Sequence, residues 1–248
     1  MRFFLTSILL AAVFLVPPLA ARLEFDFPGL GLLKIPATGL DYMAVFFHEL
    51  GHTLTYWAFG YPAIPSFDFE YGGGMTYDFE RPEGAVFAVW ALMAGLAAWL
   101  ATQKAWGLLA ALGVVAVVHA ALAFNDGHRV LAGYMGHGAE ILIACFCILR
   151  AVLNQTHYGA TERYLNMIFG LFVIGRNALL AFDLWLSDVG RIVYGMQKGG
   201  HMQGDMDRIA EMLGVQVQSV GIFSLLLMAV LFAALAVLVM WEKKGEGG

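Results

Sequence analysis

Long apolar runs separated by short polar stretches dominate the chain. Runs of mostly uncharged residues lie near 3–20, 40–60, 84–101, 105–123, 138–153, 165–186 and 218–241. Each run is close to the roughly 20 residues that a helix needs to cross the hydrocarbon core of a bilayer. The pattern predicts an all-α membrane protein, a polytopic bundle of six or seven transmembrane helices that forms a single domain over residues 1–248.

Two stretches between the apolar runs have a different pattern. Residues 61–83 alternate aromatic and polar side chains around Gly72, Gly73 and Gly74, which predicts a short membrane-associated β-hairpin. Residues 187–217 are polar enough to form an extramembrane loop. Within that loop, DMDRIAEMLG has the spacing of a short amphipathic helix that ends at Gly214.

The first segment has two interpretations. Residues 1–21 combine one basic residue, an apolar stretch and a small-residue exit, with Pro17 and Pro18 near its end. This combination is typical of a cleavable signal peptide and equally of a retained first span. Both interpretations stay open from the sequence.

The composition predicts which environment the protein occupies. The chain has 248 residues, of which 60% are hydrophobic and 13% charged, so one core cannot hide its apolar side chains from water. We therefore expect an integral multi-pass protein in contact with a lipid bilayer. The formal charge of −5 is spread thinly and no basic stripe is present, so a nucleic-acid partner is not expected.

Three ionisable residues interrupt the second apolar run, in the sequence FFHELGH. His48 and His52 are four residues apart, so on a helix their imidazoles lie one turn apart on the same face. With Glu49 they form the H-E-x-x-H arrangement, in which two neutral imidazoles hold zinc and the glutamate takes a proton from an activated water. Ionisable groups at bilayer depth are costly, which favours a metal that compensates them.

A catalytic zinc normally takes three protein ligands, and two later stretches can supply the third. FNDGHRVL places Asp126 at the end of an apolar run, in a tripeptide that is also a strong turn signal. GHGAE places His137 and Glu140 three residues apart at the predicted start of the next span. The residues alone do not decide among these three candidates.

The segment FFHELGHTL, followed by GGGMTY and by Asp126-Gly127 with Arg129, resembles the site-2 protease family of intramembrane zinc metalloproteases. The resemblance is to compact bacterial members without a PDZ domain, and it covers roughly residues 40–132 as a metalloprotease core. It departs from the family pattern at Asn125, where leucine is usual, and in lacking an N-x-x-P run just upstream.

The resemblance implies a cofactor, a site and a location. His48, His52 and Asp126 would bind Zn²⁺, and Glu49 would be the catalytic base. Glu140 and His137 are outside the family pattern and stay as alternatives to Asp126 from the residues themselves. The glycine-rich hairpin would hold an unwound substrate, with Gly72, Gly73, Gly74 and Asn125 as substrate-binding residues. The protein would then belong to the bacterial inner membrane.

These expectations define a leading function and two alternatives. The leading function is a zinc metalloendopeptidase that hydrolyses peptide bonds of membrane-embedded protein substrates. Because a helix hides its carbonyls, the substrate would unwind and pair with the hairpin near Tyr71 to Tyr77 by strand addition. The alternatives are a transporter or channel that passes protons or ions through the buried cluster, and a non-catalytic scaffold tied together by zinc.

Other polar residues in the apolar runs have structural interpretations. Arg176 and Asp183 lie seven residues apart in one run, which predicts an ion pair that fixes helix packing, with Asn177 as a further member. His119 either orients the third ligand or packs as a hydrogen-bonded histidine. His128 is expected to be solvated in a loop.

Overall fold

Helices make up most of the chain in the computed structural model, which describes residues 2–23, 25–68, 73–197 and 203–245. The helices are α1 Arg2–Arg22, α2 Leu30–Ala58, α3 Ala85–Thr102, α4 Trp106–Leu122, α5 Gly127–Val152, α6 Ala160–Leu186, α7 Asp188–Gln197, α8 Asp205–Leu213 and α9 Val217–Gly245. Strands β1 Ala63–Asp68 and β2 Gly73–Asp78 follow α2.

Six helices of the described chain are long and apolar enough to cross a membrane: α1, α2, α3, α5, α6 and α9. Helix α4 is apolar but has 17 residues, about 25 Å at 1.5 Å per residue, which is shorter than a typical hydrocarbon core. The predominantly helical structure with six candidate spans among the described residues is consistent with the predicted all-α membrane-type fold. Many large apolar side chains face outward, such as Leu92 and Val117 with more than two thirds of their surface exposed, as lipid contact requires.

Three helices extend beyond the apolar runs that predicted them. Helix α2 begins at Leu30 and includes Pro36, α1 continues through Pro17 and Pro18, and α5 begins at Gly127. His137 therefore lies well inside α5 rather than at the start of a span. Hydropathy marks only the apolar part of a helix, whereas polar residues that face the protein interior continue the same helix.

Helices α5 and α6 form the centre of the bundle. In each, 44% of the most apolar window is buried, against 11% to 22% in the other four candidate spans. Helix α5 packs between α2 and α6, and α1 and α9 pack on the outer side of α6. The shared core includes Ile141 and Ala144 of α5 and Phe172 and Val173 of α6.

Glycines allow these helices to approach closely. A Cβ atom on Gly51 would stand 2.0 Å from the carbonyl oxygen of Met135, so α2 can cross α5 here only without a side chain. A Cβ atom on Gly170 would likewise stand 2.7 Å from the carbonyl oxygen of Ala144, where α6 crosses α5. Such contacts supply packing energy where water provides no driving force.

The predicted hairpin is present. Strands β1 and β2 pair antiparallel, from Ala63 opposite Asp78 to Asp68 opposite Gly73, and both strands pack on α2. The connecting residues 69–72, which include Tyr71 and Gly72, lie outside the described residues.

The predicted amphipathic helix is also present, as α8. It ends at Gly214, whose φ of 64° is the left-handed conformation common at helix ends. Its apolar face buries Met206 and Ile209 in a cluster with Tyr134 of α5 and Leu184 of α6. This contact places the N-terminus of α8 against the part of α5 that carries the polar residues of the bundle.

Candidate metal centre

His48 and His52 lie on the buried face of α2 that packs against α5, with 9% and 6% of their surfaces exposed. Their Nε2 atoms are 3.0 Å apart, as the four-residue spacing predicts. The two imidazoles thus present ring nitrogens to one common point.

The other ring nitrogen of each imidazole has a fixed partner. His52 Nδ1 lies 2.7 Å from the carbonyl oxygen of Ala132, which can only accept a hydrogen bond. His48 Nδ1 lies 2.9 Å from Oε1 of Glu140, and an ionised carboxylate also only accepts. Both Nδ1 atoms therefore carry the proton, which leaves both Nε2 lone pairs free for a cation.

His137 brings a third imidazole to the pair. Its ring centroid is 4.6 Å from that of His48, and only 7% of its surface is exposed. Its Nδ1 lies 3.0 Å from Oδ1 of Asn177, whose Nδ2 donates to Glu140 and to the carbonyl oxygen of Val173. Because Oδ1 is the acceptor end of this amide, His137 donates from Nδ1 and keeps Nε2 free.

A carboxylate from α8 completes the cluster. Asp205 Oδ2 lies 3.0 Å from His48 Nε2 and 3.5 Å from His52 Nε2. Among the described residues, potential ligand atoms of His48, His137 and Asp205 all lie within 4.8 Å of one another.

The donor set suits a metal ion. Three of its atoms, the Nε2 atoms of His48 and His52 and Oδ2 of Asp205, lie 3.0 to 3.5 Å apart. Their lone pairs repel one another unless a proton or a metal ion lies among them. A tetrahedron with bonds of 2.0 to 2.1 Å to imidazole nitrogen requires ligand atoms about 3.3 Å apart. The observed separations bracket that value.

Gly136 provides the space for the imidazoles. A Cβ atom at this position of α5 would stand 2.3 Å from His52 Nε2 and 2.6 Å from His48 Nε2. Any side chain here would occupy the space into which both lone pairs point.

Glu140, one of the alternative third ligands, contacts His48 at the ring nitrogen that faces away from the other imidazole. It is 1% exposed and accepts hydrogen bonds from Asn177 Nδ2 at 2.5 Å and Arg176 Nη1 at 3.1 Å, in addition to His48. Its contact is with Nδ1 of His48, on the opposite side of the ring from the common point. Such outer partners fix the orientation of ligands and raise their basicity.

The predicted pair of Arg176 with Asp183 is not formed. Arg176 instead bridges Glu140 and Asp41, whose Oδ1 lies 2.9 Å from Arg176 Nε, and Asp183 pairs with Arg22 of α1. A spacing of seven residues places two side chains on the same helix face, but the charges on neighbouring helices decide their partners.

The Glu49 carboxylate contacts the hairpin. Its side chain is buried, and Thr76 Oγ1 of β2 donates to Glu49 Oε2 at 2.8 Å. A Cβ atom on Gly74 would stand 2.6 Å from Glu49 Oε1, so β2 passes directly over the carboxylate. The carboxylate beside the metal centre thus faces the strand that was predicted to hold substrate.

Asp126 is not brought to the imidazoles. It is exposed at the N-terminus of α5, ten residues before Gly136, which corresponds to about 15 Å along the helix axis. Asn125 forms the turn beside it, donating from Nδ2 to the carbonyl of Ala121 and accepting from the backbone N–H of Gly127. The tripeptide Asn-Asp-Gly here acts as a turn, and its side chains face away from the cluster.

Two further histidines pack the same end of the bundle. His119 accepts from Trp90 Nε1 at Nδ1 and donates from Nε2 to the carbonyl of Ala58, so it is a packing histidine. His128 is 6% exposed and bonds Tyr61 Oη at 2.8 Å, so the expectation of a solvated side chain is wrong. The two rings connect the segment between α2 and β1 to the end of α4 and the start of α5.

No protein-family model matches the chain, and neither the curated proteins nor the solved structures include a match to it. The resemblance to the site-2 protease family therefore depends on the short motifs alone. The geometry of the metal centre and of Glu49 carries the functional inference.

Proposed function

We propose that the protein is an intramembrane zinc metalloendopeptidase that hydrolyses peptide bonds of membrane-embedded substrates. One observation carries the proposal: His48 and His52, whose Nδ1 atoms have fixed acceptors, bring their Nε2 atoms to within 3.0 Å of each other at a buried point. The proposed protein ligands are His48 and His52 of α2 and His137 of α5. The motif resemblance further favours the bacterial inner membrane as the location.

Zinc is the metal that these donors favour. Neutral imidazole is the commonest zinc ligand beside thiolate, and three protein ligands with one exchangeable position are the usual catalytic set. A zinc ion held there would supply Lewis acidity and activate water at neutral pH. His137 takes the place that the resemblance gave to Asp126, and Glu140 with Asn177 would hold the rings in register.

Glu49 is the proposed proton acceptor. It follows ligand His48 directly in the chain and is held by Thr76, so its position is fixed relative to both the metal centre and β2. A general base must lie within hydrogen-bond reach of the water or peptide whose proton it moves. A substrate strand along the hairpin would lie beside this carboxylate.

The hairpin offers the backbone groups that an unwound substrate requires. In the described chain β2 pairs with β1 alone, so β2 has a second edge that no other described strand pairs with. A peptide that leaves helical form inside a membrane must replace its internal hydrogen bonds, and strand addition replaces them. Gly73 and Gly74 keep this region of β2 free of side chains.

Asp205 favours a second candidate function, the zinc-tied scaffold. A site with four protein ligands is closed, which is typical of structural rather than catalytic zinc. The two functions differ in whether the protein cleaves peptides.

The test uses purified full-length protein and a candidate single-span substrate protein, with zinc measured by elemental analysis. The peptidase predicts cleavage that is abolished in Glu49→Gln while zinc is retained. The matched control is Glu80→Gln, the same change at an exposed position just after β2. Undiminished cleavage in Glu49→Gln would refute the role of Glu49, and zinc without cleavage in every protein would favour the scaffold.

A further inference from the structure

Asp205 differs from the other members of the metal centre in how it is held. The imidazoles of His48, His52 and His137 each have a hydrogen-bond partner at Nδ1. The Asp205 carboxylate has hydrogen-bond or ion-pair distances only to His48 and His52 in the described chain. Ligands that must stay in place are normally anchored by such outer hydrogen bonds. Asp205 is therefore the member that can leave the centre without breaking any other contact of its side chain.

Asp205 also lies on the solvent side of the cluster. Its side chain is 20% exposed, against 11% for His48 and 8% for His52. The carboxylate is thus the most exposed of these three groups. A water or substrate carbonyl that approached from this side would meet Asp205 first.

The helix that carries Asp205 is short. Helix α8 has nine residues and buries Met206, Ile209 and Ala210 against the bundle. Small units with few buried apolar contacts open at lower free energy than the spans that form a core. The imidazole ligands, in contrast, belong to α2 and α5, whose movement would disrupt the whole bundle.

A tyrosine from α7 fixes α8 in the closed position. Tyr194 Oη accepts a hydrogen bond from the backbone N–H of Met206 at 3.1 Å. A Cβ atom on Gly204 would stand 2.5 Å from the same oxygen, so the chain just before Asp205 lies flat on the tyrosine. The contacts set the start of α8 at the depth where the carboxylate reaches both imidazoles.

We infer that Asp205 is a removable fourth ligand that keeps the metal centre closed until α8 withdraws. The inference rests on the proposed function, because it assigns Asp205 to the coordination position that a catalytic zinc keeps for water. In the closed state this position is filled by the carboxylate. Withdrawal of α8 opens it to water and to the carbonyl of a substrate, and the three imidazoles retain the metal.

The test compares full-length wild type with Asp205→Asn and Asp205→Ala after loading with Co²⁺, which reports its coordination in the visible spectrum. The probe is acetohydroxamate, which binds a metal only at an open position. The matched control is Asp207→Asn, the same change two residues further along α8. Metal content and thermal unfolding are measured for every variant.

We expect both Asp205 variants to keep one metal per chain and to bind acetohydroxamate at concentrations on the order of tenfold lower than wild type or Asp207→Asn. Substrate cleavage should rise in the same variants. Loss of the metal from both folded variants would make Asp205 an obligatory ligand and overturn the inference. Unchanged acetohydroxamate binding would overturn it as well.

The outcomes separate this inference from the proposed function. Tighter acetohydroxamate binding in the Asp205 variants, with no cleavage by any protein, supports the removable ligand and refutes the peptidase. Cleavage that depends on Glu49 but is the same in wild type and the Asp205 variants supports the peptidase and refutes the removable ligand.

Discussion

Replacing Gly136 by alanine adds one methyl group at the point where the imidazoles meet. The new Cβ atom would stand 2.3 Å from His52 Nε2 and 2.6 Å from His48 Nε2. Unstrained carbon contacts are about 3.5 Å or longer, so one or both rings must move by roughly 1 Å. Metal ligands must lie within about 0.2 Å of their ideal positions, so the required movement is several times the tolerance.

The expected result is a loss of zinc affinity on the order of a hundredfold or more, beyond the ten- to hundredfold typical of changes to outer partners. The effect on stability should be smaller. Overpacking costs about 1–3 kcal/mol, whereas alanine for glycine inside a helix gains about 1 kcal/mol. The protein should therefore remain folded while it loses its metal.

The assay measures zinc per chain by elemental analysis and zinc affinity by competition with a chromogenic chelator, with thermal unfolding as a check of folding. Gly138→Ala is the matched control, because its Cβ would meet only the flexible end of Met135, at 3.0 Å from Sδ. A Gly136→Ala protein that binds zinc as tightly as Gly138→Ala would refute the assignment of this point as the metal centre.

Further substitutions test the partners of the centre. Asn177→Leu removes the acceptor for His137 Nδ1 and should weaken zinc binding by roughly ten- to a hundredfold in the chelator assay. An unchanged zinc affinity would contradict the assignment of His137 as a ligand held by Asn177. Thr76→Val removes the hydroxyl that donates to Glu49 and should slow cleavage by about tenfold with zinc content unchanged. Thr76→Ser keeps the hydroxyl and should cleave at the wild-type rate. Equal rates in the valine and serine variants would exclude a positioning role for Thr76. Arg176→Met leaves the buried Glu140 carboxylate without its half-buried cation and should lower the free energy of unfolding by about 3 kcal/mol, the low end for a buried charge that loses its partner, because Arg176 is itself 27% exposed. A change below about 1 kcal/mol in chemical or thermal unfolding would show that Glu140 does not depend on Arg176.

Local patterns predicted the features that depend on local sequence. The membrane spans follow from apolar length, the hairpin from alternation around glycines, and α8 from amphipathic spacing with its stop at Gly214. The close approach of the His48 and His52 rings, whose centroids are 4.6 Å apart, follows from helical periodicity alone. In each case the residues that make the contact are close together in the chain, so the contact can be predicted from their spacing.

Local sequence patterns could not predict which residues come together at the candidate metal centre. Asp205 lies 157 positions from His48 in the chain, and nothing in the spacing of α8 links its first residue to the imidazoles. Asp126 has a suitable chemistry but sits too far along α5, whereas His137 is placed by the level at which α5 crosses α2. The partners of Arg176 and the burial of His128 depend in the same way on neighbouring elements.

The sequence by itself determined a helical membrane-type protein with two histidines one turn apart on one helix face and a glutamate beside the first of them. Only the tertiary structure decided which residues join them, because the crossing of α2 and α5 at Gly51 and the docking of α8 set the distances among side chains far apart in the chain. Coordination depends on separations of a few tenths of an ångström, and such separations arise from packing between elements rather than from the order of residues within them.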